Sequence, residues 1–336
     1  MRRRTFVNRA LLGGAWAAGV PLVTSAQTEK PYPTKPIRIV VALAAGGNVD
    51  AMTRLIGERL STSLGQPIIV ENRPGATGGI GAAAVAKAEP DGHTILFAIS
   101  SIVQSIRLQK NPPYSLAELA PIAQLADLPP ALGIAQSLGA KTLAEFVALV
   151  KEQPGKLSYG SYGIGSSGHI IGEYLKRSTG MNIVHVPYKG EAPAITDLLA
   201  GQVAAVFGSA GAMSQHPGKI RMVAVCGSRR PVRFPDTPTF DEAGFPLGGL
   251  TGWAGAFAPA ATPKPIVDRL AAEINRTLRI PEIRERILDF GFEPTGEAKE
   301  PFAKFVEDQY VVWGAAIKAA LMPFEMRAEL ARGRTP

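Results

Sequence analysis

The fold is indicated most clearly by the segment Ser158-Tyr-Gly-Ser-Tyr-Gly-Ile-Gly-Ser-Ser-Gly-His-Ile-Ile-Gly-Glu173. Its sixteen residues include five glycines, four serines and two tyrosines, and apolar residues then recur at helical spacing. This composition is typical of a loop that ends a β-strand and begins an α-helix. The first turn of a helix has unpaired N–H groups and a partial positive charge, so such a loop binds anions. The segment therefore predicts an anion-binding loop in an α/β protein.

The same order of strand, glycine-rich loop and helix occurs near the start of the chain. Pro36-Ile-Arg-Ile-Val-Val41 has the continuous apolar character of a buried strand, and it leads into Ala44-Ala-Gly-Gly-Asn-Val-Asp50. Asn48 is the predicted N-cap of the next helix. A third glycine-containing loop at 187–193 has the same setting. Alternating strands and helices predict an α/β fold whose parallel strands gather these loops at one sheet edge.

The N-terminal residues 1–26 have the features of an export signal. Several arginines form a cationic start, an apolar stretch too short to cross a bilayer follows, and small residues offer a cleavage site. The pair Arg3-Arg4 also fits the twin-arginine pattern loosely, so the twin-arginine route and the general export route both stay open. We therefore expect a periplasmic protein whose mature chain starts near residue 27.

Length, charge and cysteine content limit the remaining classes of protein. A mature chain of about 310 residues exceeds one common domain, which predicts two domains. The formal net charge of +8 falls to +4 when the four signal arginines are removed. This mild excess suits a receptor for anionic solutes, whereas nucleic acid requires a concentrated basic surface. Cys226 is the single cysteine, which excludes an intrachain disulfide and a cysteine-based metal site.

A nucleotide site is the first alternative interpretation of the serine-rich loop. Gly163-Ile-Gly-Ser-Ser-Gly168 matches the pattern G-x-G-x-x-G, and Glu191 follows at roughly the spacing of a ribose-binding acid. However, residues 156–161 are short and polar, whereas a dinucleotide fold requires an apolar first strand. The serine hydroxyls favour a small carboxylate or phosphate. The pattern is therefore weak evidence, and no cofactor is predicted.

A catalytic role is the second alternative for this loop. Ser161, Ser166 and Ser167 all lack the complete G-x-S-x-G pattern of a hydrolase nucleophile. His169 is a candidate base, but no acid partner is identifiable. No metal site is predicted either, because the spacing of zinc motifs is absent from His93, His169, His185 and His216. An exported α/β enzyme that uses Ser166 or His169 remains the rival class, and a ligand-sensing input module is a third.

Sequence blocks in a fixed order extend from about Lys35 to Ala320. They include Pro36-Ile-Arg-Ile-Val-Val41, Ala45-Gly-Gly47 with Asp50, Val70-Glu-Asn-Arg-Pro-Gly75, Pro90-Asp-Gly92, Pro154-Gly-Lys-Leu157, Gly165-Ser-Ser167 with His169, Val184-His-Val-Pro-Tyr-Lys-Gly190, Thr196-Asp-Leu-Leu-Ala-Gly-Gln202 and Pro235-Asp-Thr-Pro-Thr239. Together these blocks resemble the extracytoplasmic solute receptors of tripartite tricarboxylate transporters, the Bug family of periplasmic binding proteins.

The resemblance implies a two-lobed type II periplasmic-binding-protein fold with the ligand in an interdomain cleft. By this analogy lobe I comprises 27–127 and 251–322, lobe II comprises 128–250, and 323–336 is an irregular tail. The family captures small carboxylates and delivers them to integral membrane transporter subunits, which are therefore the expected partners. We expect a non-catalytic monomer without cofactor or metal that closes around its ligand.

The predicted ligand residues lie on these loops. Position by position, the resemblance implies contacts from Ala45, Gly46, Gly47, Ser166, Ser167, His169 and Tyr188. The tyrosine ring is expected to wall the cleft while its hydroxyl binds. We add four polar residues at the neighbouring loop positions, namely Asn48, Ser100, Ser161 and Ser209.

Several positions depart from the family pattern, and each departure removes a polar group or a rigid constraint. Leu43-Ala44 replaces Phe-Pro, Val49 replaces a common threonine, Gly208-Ser209 replaces Asp-Asn, and Ile102-Val103 replaces a polar segment that bears a histidine. We therefore expect a ligand less polar than a di- or tricarboxylate, such as an aromatic or aliphatic monocarboxylate.

Overall fold

The computed structural model describes residues 32–296 and 299–321. The predicted export signal at 1–26 and the predicted tail at 323–336 lie outside these residues. The described residues from Pro33 onward belong to one compact unit.

The strands form two β-sheets. The first sheet has the order β11-β4-β10-β3-β1-β2, and the second has the order β7-β6-β8-β5-β9. In chain order the strands are β1 (Ile37–Val41), β2 (Ile68–Asn72), β3 (Thr94–Ile99), β4 (Leu119–Asp127), β5 (Pro130–Ala135), β6 (Ser158–Ser161), β7 (Val184–Pro187), β8 (Ala205–Ser209), β9 (Ile220–Val225), β10 (Trp253–Pro259) and β11 (Glu293–Pro294).

Helices connect and cover these strands. They are α1 (Asn48–Leu64), α2 (Gly79–Ala86), α3 (Ser101–Leu108), α4 (Leu143–Glu152), α5 (Ser167–Thr179), α6 (Glu191–Leu199), α7 (Ala210–Ser214), α8 (Lys264–Leu278), α9 (Pro281–Asp289) and α10 (Lys299–Leu321). Single 3-10 turns occupy Ala76–Gly78, Leu116–Glu118 and Gln136–Leu138. None of the helices in the described part of the chain has both the length and the apolar character needed to cross a membrane.

The first sheet has a parallel centre, as the sequence predicts. Ile39 of β1 is opposite Val70 of β2 and Ile95 of β3 in parallel register. The residues of β1 are almost all buried because helices cover both faces of such a strand. The rest of the sheet is antiparallel, since β10 pairs in that sense with β3 and β4. The prediction of a parallel sheet therefore holds for three strands, and the sheet as a whole is mixed.

The second sheet also contains both parallel and antiparallel strand pairs. β6 runs parallel to β7 and β8, whereas β5 is antiparallel to β8 and β9. β5 is the strand by which the chain enters this sheet after leaving β4, and the two are separated only by Leu128 and Pro129. The chain returns from β9 to β10, whose Trp253 is fully buried and packs edge-on against Phe302 at 5.8 Å. Two sheets joined by such crossings are the architecture of a two-lobed α/β protein.

Candidate functional site

The glycine-rich loops lie at the carboxyl ends of strands in both sheets. β1 and β3 end at Val41 and Ile99, and their parallel direction carries the first glycine loop and Ser100 to the same edge. β6 and β8 end at Ser161 and Ser209 and are likewise parallel. Because parallel strands place their following loops at one edge, each sheet gathers its predicted ligand residues there.

Asp50 shapes the first glycine loop. Its carboxylate accepts hydrogen bonds from the Gly46 backbone N–H at 3.0 Å, the Arg54 side chain at 3.1 Å and the Asn72 amide at 3.0 Å. Burial raises the pKa of Asp50, but these partners outweigh burial, and the resulting pKa lies below the ordinary value. The ionised Asp50 therefore fixes Gly46, which has a positive φ of 86°.

The start of α1 is open to solvent. Ala45, Gly46 and Gly47 are exposed, and a Cβ built on either glycine meets no atom within 4 Å. The N-cap of α1 is Gly47, so the prediction that Asn48 is the N-cap is wrong. The Asn48 side-chain nitrogen instead donates to the carbonyl of Phe290 at 3.3 Å, which directs it away from its own helix. The first turn of α1 therefore has backbone donors without a side-chain cap.

Ser166 and His169 hold the second loop together. The Ser166 hydroxyl donates to the Gly163 carbonyl at 2.6 Å and accepts from the His169 backbone N–H at 3.3 Å, so it caps α5. The His169 Nδ1 accepts from the Gly165 N–H at 3.1 Å. Both side chains thus shape the loop from within, and the loop presents its backbone rather than the Ser166 hydroxyl.

Ser161 anchors a pair of stacked histidines. Its hydroxyl lies 2.8 Å from the His185 Nε2, and the rings of His185 and His169 stack with centroids 4.3 Å apart. Burial and the neighbouring His169 lower the pKa of His185 to about 4, and burial also lowers the pKa of His169. Both imidazoles are therefore neutral at neutral pH, and the stack supports the loop from the β7 side.

This serine–histidine contact does not form a nucleophile site. Ser161 is fully buried, so its hydroxyl is inaccessible to a substrate. A base whose pKa is about 4 binds a proton weakly at neutral pH, whereas an effective general base has a pKa near the working pH. The contact therefore has the character of a structural support.

Ser167 forms a contact between the two sheets' helices. The Gln104 side-chain nitrogen, on α3, donates to the Ser167 hydroxyl at 2.8 Å. Gln104 is fully buried, and its Oε1 finds no hydrogen-bond partner among the described residues. The buried hydroxyl of Ser101, one turn earlier on α3, also lacks such a partner. Sequence analysis missed Gln104 and Ser101, because a polar residue on an apolar helix gives no sign of which element it faces.

Ser100 and Tyr188 have their own partners. Ser100 is buried, and its backbone N–H donates to the Trp253 carbonyl at 2.9 Å. The Tyr188 hydroxyl donates to the Asp197 carboxylate at 2.7 Å, and its ring lies against Gly160. Burial and Asp197 raise the pKa of Tyr188 to about 12. The Tyr188 ring therefore packs against the second loop, while its hydroxyl is hydrogen-bonded to α6.

Glu191 occupies the corner where the sequence predicted a loss of polarity. Its carboxylate accepts hydrogen bonds from the backbone N–H and, at 3.1 Å, from the hydroxyl of Ser209. A Cβ at Gly208 would lie 2.5 Å from the Glu191 Oε1, so the glycine leaves room for this carboxylate. Burial raises the pKa of Glu191, and the Ser209 donors oppose that effect. The sequence indicates for Glu191 only the spacing of a ribose-binding acid, because its position depends on a turn that the sequence does not specify.

Tyr162 links this corner to the Ser167 loop. Its hydroxyl faces the Ser167 side chain and the Gly168 backbone N–H, and it lies close enough to Glu191 to sense its charge. Burial raises the pKa of Tyr162 to about 12, and the two loop contacts partly offset that rise. Tyr162 therefore belongs to the second loop and lies within electrostatic range of the Glu191 carboxylate.

The edges of the two sheets approach each other at two places beside these residues. A Cβ on Gly165 would lie 2.7 Å from Leu108 and 3.5 Å from Thr77. Thr77 itself has a positive φ of 56°, an unfavourable conformation for a β-branched residue. On the other side, a Cβ on Gly211 would overlap the carbonyl of Phe290. The two halves of the protein are therefore in close approach at Gly165 and at Gly211.

A cavity of about 370 Å³ lies at the segments that connect the sheets. Its lining includes Asp127, Gly227, Thr251 and Gln309, and shares no residue with the predicted ligand set. It is therefore a feature of the crossover region and not of the loop edge. Residues 32–296 and 299–321 contain no cluster of three or more histidine, cysteine or acidic side chains arranged to hold a metal ion.

Comparison with known proteins gives one consistent family. Residues 52–321 match the model of the tripartite tricarboxylate transporter family receptor, TctC. The protein BugT of Bordetella pertussis is 34% identical over 306 residues, which cover 90% of this chain and 93% of BugT.

Solved structures agree with this match. The periplasmic binding protein BugD is 34% identical with a TM-score of 0.76, and the alignment covers 86% of this chain and 98% of BugD. Rpa4515 of R. palustris, solved with adipate, is 32% identical with a TM-score of 0.79, and the alignment covers 86% of this chain and 98% of Rpa4515. MatC of Rhodopseudomonas palustris, solved with bound malate, is 31% identical with a TM-score of 0.76, and the alignment covers 85% of this chain and 100% of MatC.

Proposed function

The chain belongs to the tripartite tricarboxylate transporter receptor family, and from this premise we propose that it captures a small carboxylate in the cleft between its two sheets and delivers it to a membrane transporter. Members of the family are substrate-binding receptors and not enzymes, so the prediction of a non-catalytic protein is confirmed. The two-lobed fold is confirmed as well.

The observation that carries the proposal is the pairing of this fold with carboxylate-bound relatives. Two structures with more than 30% identity were solved with adipate and malate, and each alignment spans nearly all of the relative. In this chain the first turn of α1 follows the exposed Gly47 and has no side-chain cap, and we propose that its backbone donors face the serine loop at 163–167. Helix N-termini of this kind attract a carboxylate.

We propose the following division of the molecule. Lobe I comprises 27–127 and 251–322 and carries the first sheet, and lobe II comprises 128–250 and carries the second. Closure of the lobes brings the two loop edges onto the ligand, because neither edge alone surrounds a small molecule. The ligand-binding residues proposed from the sequence remain Ala45, Gly46, Gly47, Asn48, Ser100, Ser161, Ser166, Ser167, His169, Tyr188 and Ser209.

The contacts in the structure divide five of these residues into two groups. We assign direct ligand contact to Gly47, whose backbone is exposed, and to Ser167 at the start of α5. Gly46 donates its N–H to Asp50, so we assign it the task of shaping the first loop. The hydroxyls of Ser161 and Ser166 are hydrogen-bonded to Gly163, His169 and His185. We therefore propose that these two serines shape the loop backbone that binds the ligand. Each charge-assisted bond contributes about 1.5–3 kcal/mol, and a few of them support micromolar binding.

The proposed setting is the periplasm. The related BugD is described as a periplasmic binding protein, and the basic, apolar sequence of residues 1–26 suits export. The proposed partners are one carboxylate and the transporter's membrane subunits, with the receptor acting as a monomer. A sensing role with the same cleft is the second candidate, and loss of carboxylate uptake on deletion of the receptor distinguishes transport from sensing.

Calorimetric titration tests the binding step. Adipate, malate, and aliphatic and aromatic monocarboxylates are added in turn to the mature protein, with uncharged amides of the same acids as matched controls. The proposal predicts micromolar binding of at least one carboxylate and none of its amide. Binding of amides as tightly as acids contradicts it.

A further inference from the structure

We infer that Glu191 makes the cleft selective for a carboxylate whose other end carries a cationic nitrogen. This inference rests on the proposed function, because it concerns the second end of the same ligand. It keeps the single carboxylate expected from the sequence and changes the expected chemistry of the opposite end.

The position of Glu191 is fixed by its neighbours. It is the first residue of α6, directly after the Tyr188-Lys-Gly190 turn, and both carboxylate oxygens are bonded to Ser209 at the end of β8. The clearance at Gly208 is specific to this arrangement, since an added Cβ would lie 2.5 Å from the Oε1. The carboxylate is therefore held at the carboxyl edge of the second sheet, where the ligand loops also lie.

Glu191 lies at the loop edge of the second sheet and is only partly buried. Tyr162, on the loop that leads to Ser167, is also only partly buried. Glu191 is therefore partly accessible at the edge that faces the ligand in the proposed function.

No cation of the described part of the chain pairs with this carboxylate. Its partners there are the two neutral donors of Ser209, and the nearby Lys189 is exposed and forms no ion pair with it. A carboxylate in such surroundings is costly unless it takes a proton or acquires a cationic partner. A ligand ammonium group supplies that partner.

The hydrogen-bonding chemistry of Glu191 suits the same ligand group. An ionised carboxylate only accepts hydrogen bonds, and an ammonium group has three N–H donors and no acceptor. A second ligand carboxylate would instead meet Glu191 as a like charge.

The test compares ligands that differ only at the end facing Glu191. One series is β-alanine, γ-aminobutyrate, δ-aminovalerate and ε-aminocaproate. A methyl group replaces the ammonium in butyrate, valerate, caproate and heptanoate, and a carboxylate replaces it in succinate, glutarate, adipate and pimelate. Calorimetry of the wild-type protein is expected to show that the best amino compound binds at least about tenfold more tightly than its methyl and carboxylate counterparts.

Two variants locate the effect. Glu191→Gln keeps the size of the side chain and is expected to reduce the preference for the amino compound over the dicarboxylate at least about tenfold. Glu152→Gln removes an exposed acid on α4 and is expected to leave the preference unchanged. Circular dichroism shows whether both variants are folded. If Glu191→Gln does not fold, the ligand preference of the wild-type protein decides whether the inference holds.

The outcomes separate this inference from the proposed function. Tight binding of a dicarboxylate or an alkanoate, with weaker binding of its amino counterpart, overturns the role of Glu191 and leaves the carboxylate receptor intact. An unchanged preference in a folded Glu191→Gln also overturns it. If no compound with a carboxylate binds, both proposals fail.

Discussion

The Gln104 side-chain nitrogen donates a hydrogen bond to the Ser167 hydroxyl at 2.8 Å, and both residues are buried. Gln104 lies on the helix that follows β3 of the first sheet, whereas Ser167 begins the helix that follows β6 of the second sheet. One hydroxyl at the predicted carboxylate loop is thus also a link between the two halves of the cleft. Loss of this hydroxyl is expected to affect both the proposed ligand contact and the approach of the loops.

The double variant Ser167→Ala with Tyr188→Phe is expected to bind a carboxylate about tenfold or more weakly while remaining folded. Ser167→Ala removes the hydroxyl that we assign to direct ligand contact. Tyr188→Phe removes the hydrogen bond to Asp197 that fixes the Tyr188 ring. Calorimetric titration measures the affinity, and Ser178→Ala, near the far end of the same helix, is the matched control. Unchanged affinity in the double variant shows that the site lies elsewhere.

Tyr188→Phe alone is expected to lower the free energy of unfolding by about 1–3 kcal/mol, because the Tyr188 hydroxyl donates to a carboxylate at 2.7 Å. Urea denaturation of Tyr188→Phe, Asp197→Asn and the double variant measures the coupling between the two side chains. The expected coupling is favourable. Additive effects of the two substitutions would show that this hydrogen bond contributes nothing to stability.

The neutral histidine stack predicts a loss of stability in acid. The folded pKa of His185 is about 4, whereas the ordinary value is 6.5. Between these values the unfolded chain binds more protons, so this stabilisation is complete above pH 6.5 and is lost as the pH falls to about 4. Allowing for partial exposure, the loss is about 2 kcal/mol.

Denaturant unfolding of the wild-type protein and His185→Gln across this pH range measures the contribution. The variant is expected to lose less stability on acidification than the wild-type protein does. Glu173 and Lys176 also act on His185 with opposite signs, so both remain in place in this comparison. His216 lies outside the stack, so His216→Gln serves as the control. If acidification destabilised His216→Gln and His185→Gln to the same reduced extent, the assignment to His185 would be refuted.

Gly211→Ala is expected to destabilise the protein by about 1–3 kcal/mol, because its Cβ would overlap the carbonyl of Phe290 on the other side of the cleft. The same carbonyl accepts the Asn48 amide, so the substitution also disturbs the first glycine loop. Thermal unfolding measures the change. Gly47→Ala is the comparison, since Gly47 has a φ of −84° and open space around it, and it is expected to have normal stability. Equal melting temperatures for the two variants would contradict the contact at Gly211.

Much of the fold was predictable because several of its strands are mostly apolar runs bounded by glycine or proline. Ile37–Val41 and Trp253–Pro259 are clear in the sequence for that reason. The antiparallel pairing of β10 was not predicted, because strand direction depends on where a long connection returns. The local bonds of Ser166 follow from helix-capping rules.

The side-chain partners across the cleft were not predictable in this way. Asn48 is a residue type favoured at the N-cap, yet its amide donates to a carbonyl far along the chain and Gly47 is the N-cap. Glu191 and Ser209 are close only because the turn before α6 lies beside the end of β8. Sequence composition gives the loops and their backbone donors, whereas the partners of individual side chains depend on tertiary packing.

Mass spectrometry of the protein purified in its native state from the periplasm tests the central claim most directly. The wild-type protein is expected to carry a small carboxylate that is released chemically unchanged on denaturation, and the Ser167→Ala, Tyr188→Phe double variant, purified in the same way, is expected to carry much less of it. Recovery of a chemically altered compound, or equal recovery of the same carboxylate from both proteins, would contradict a carboxylate receptor that binds at these loops.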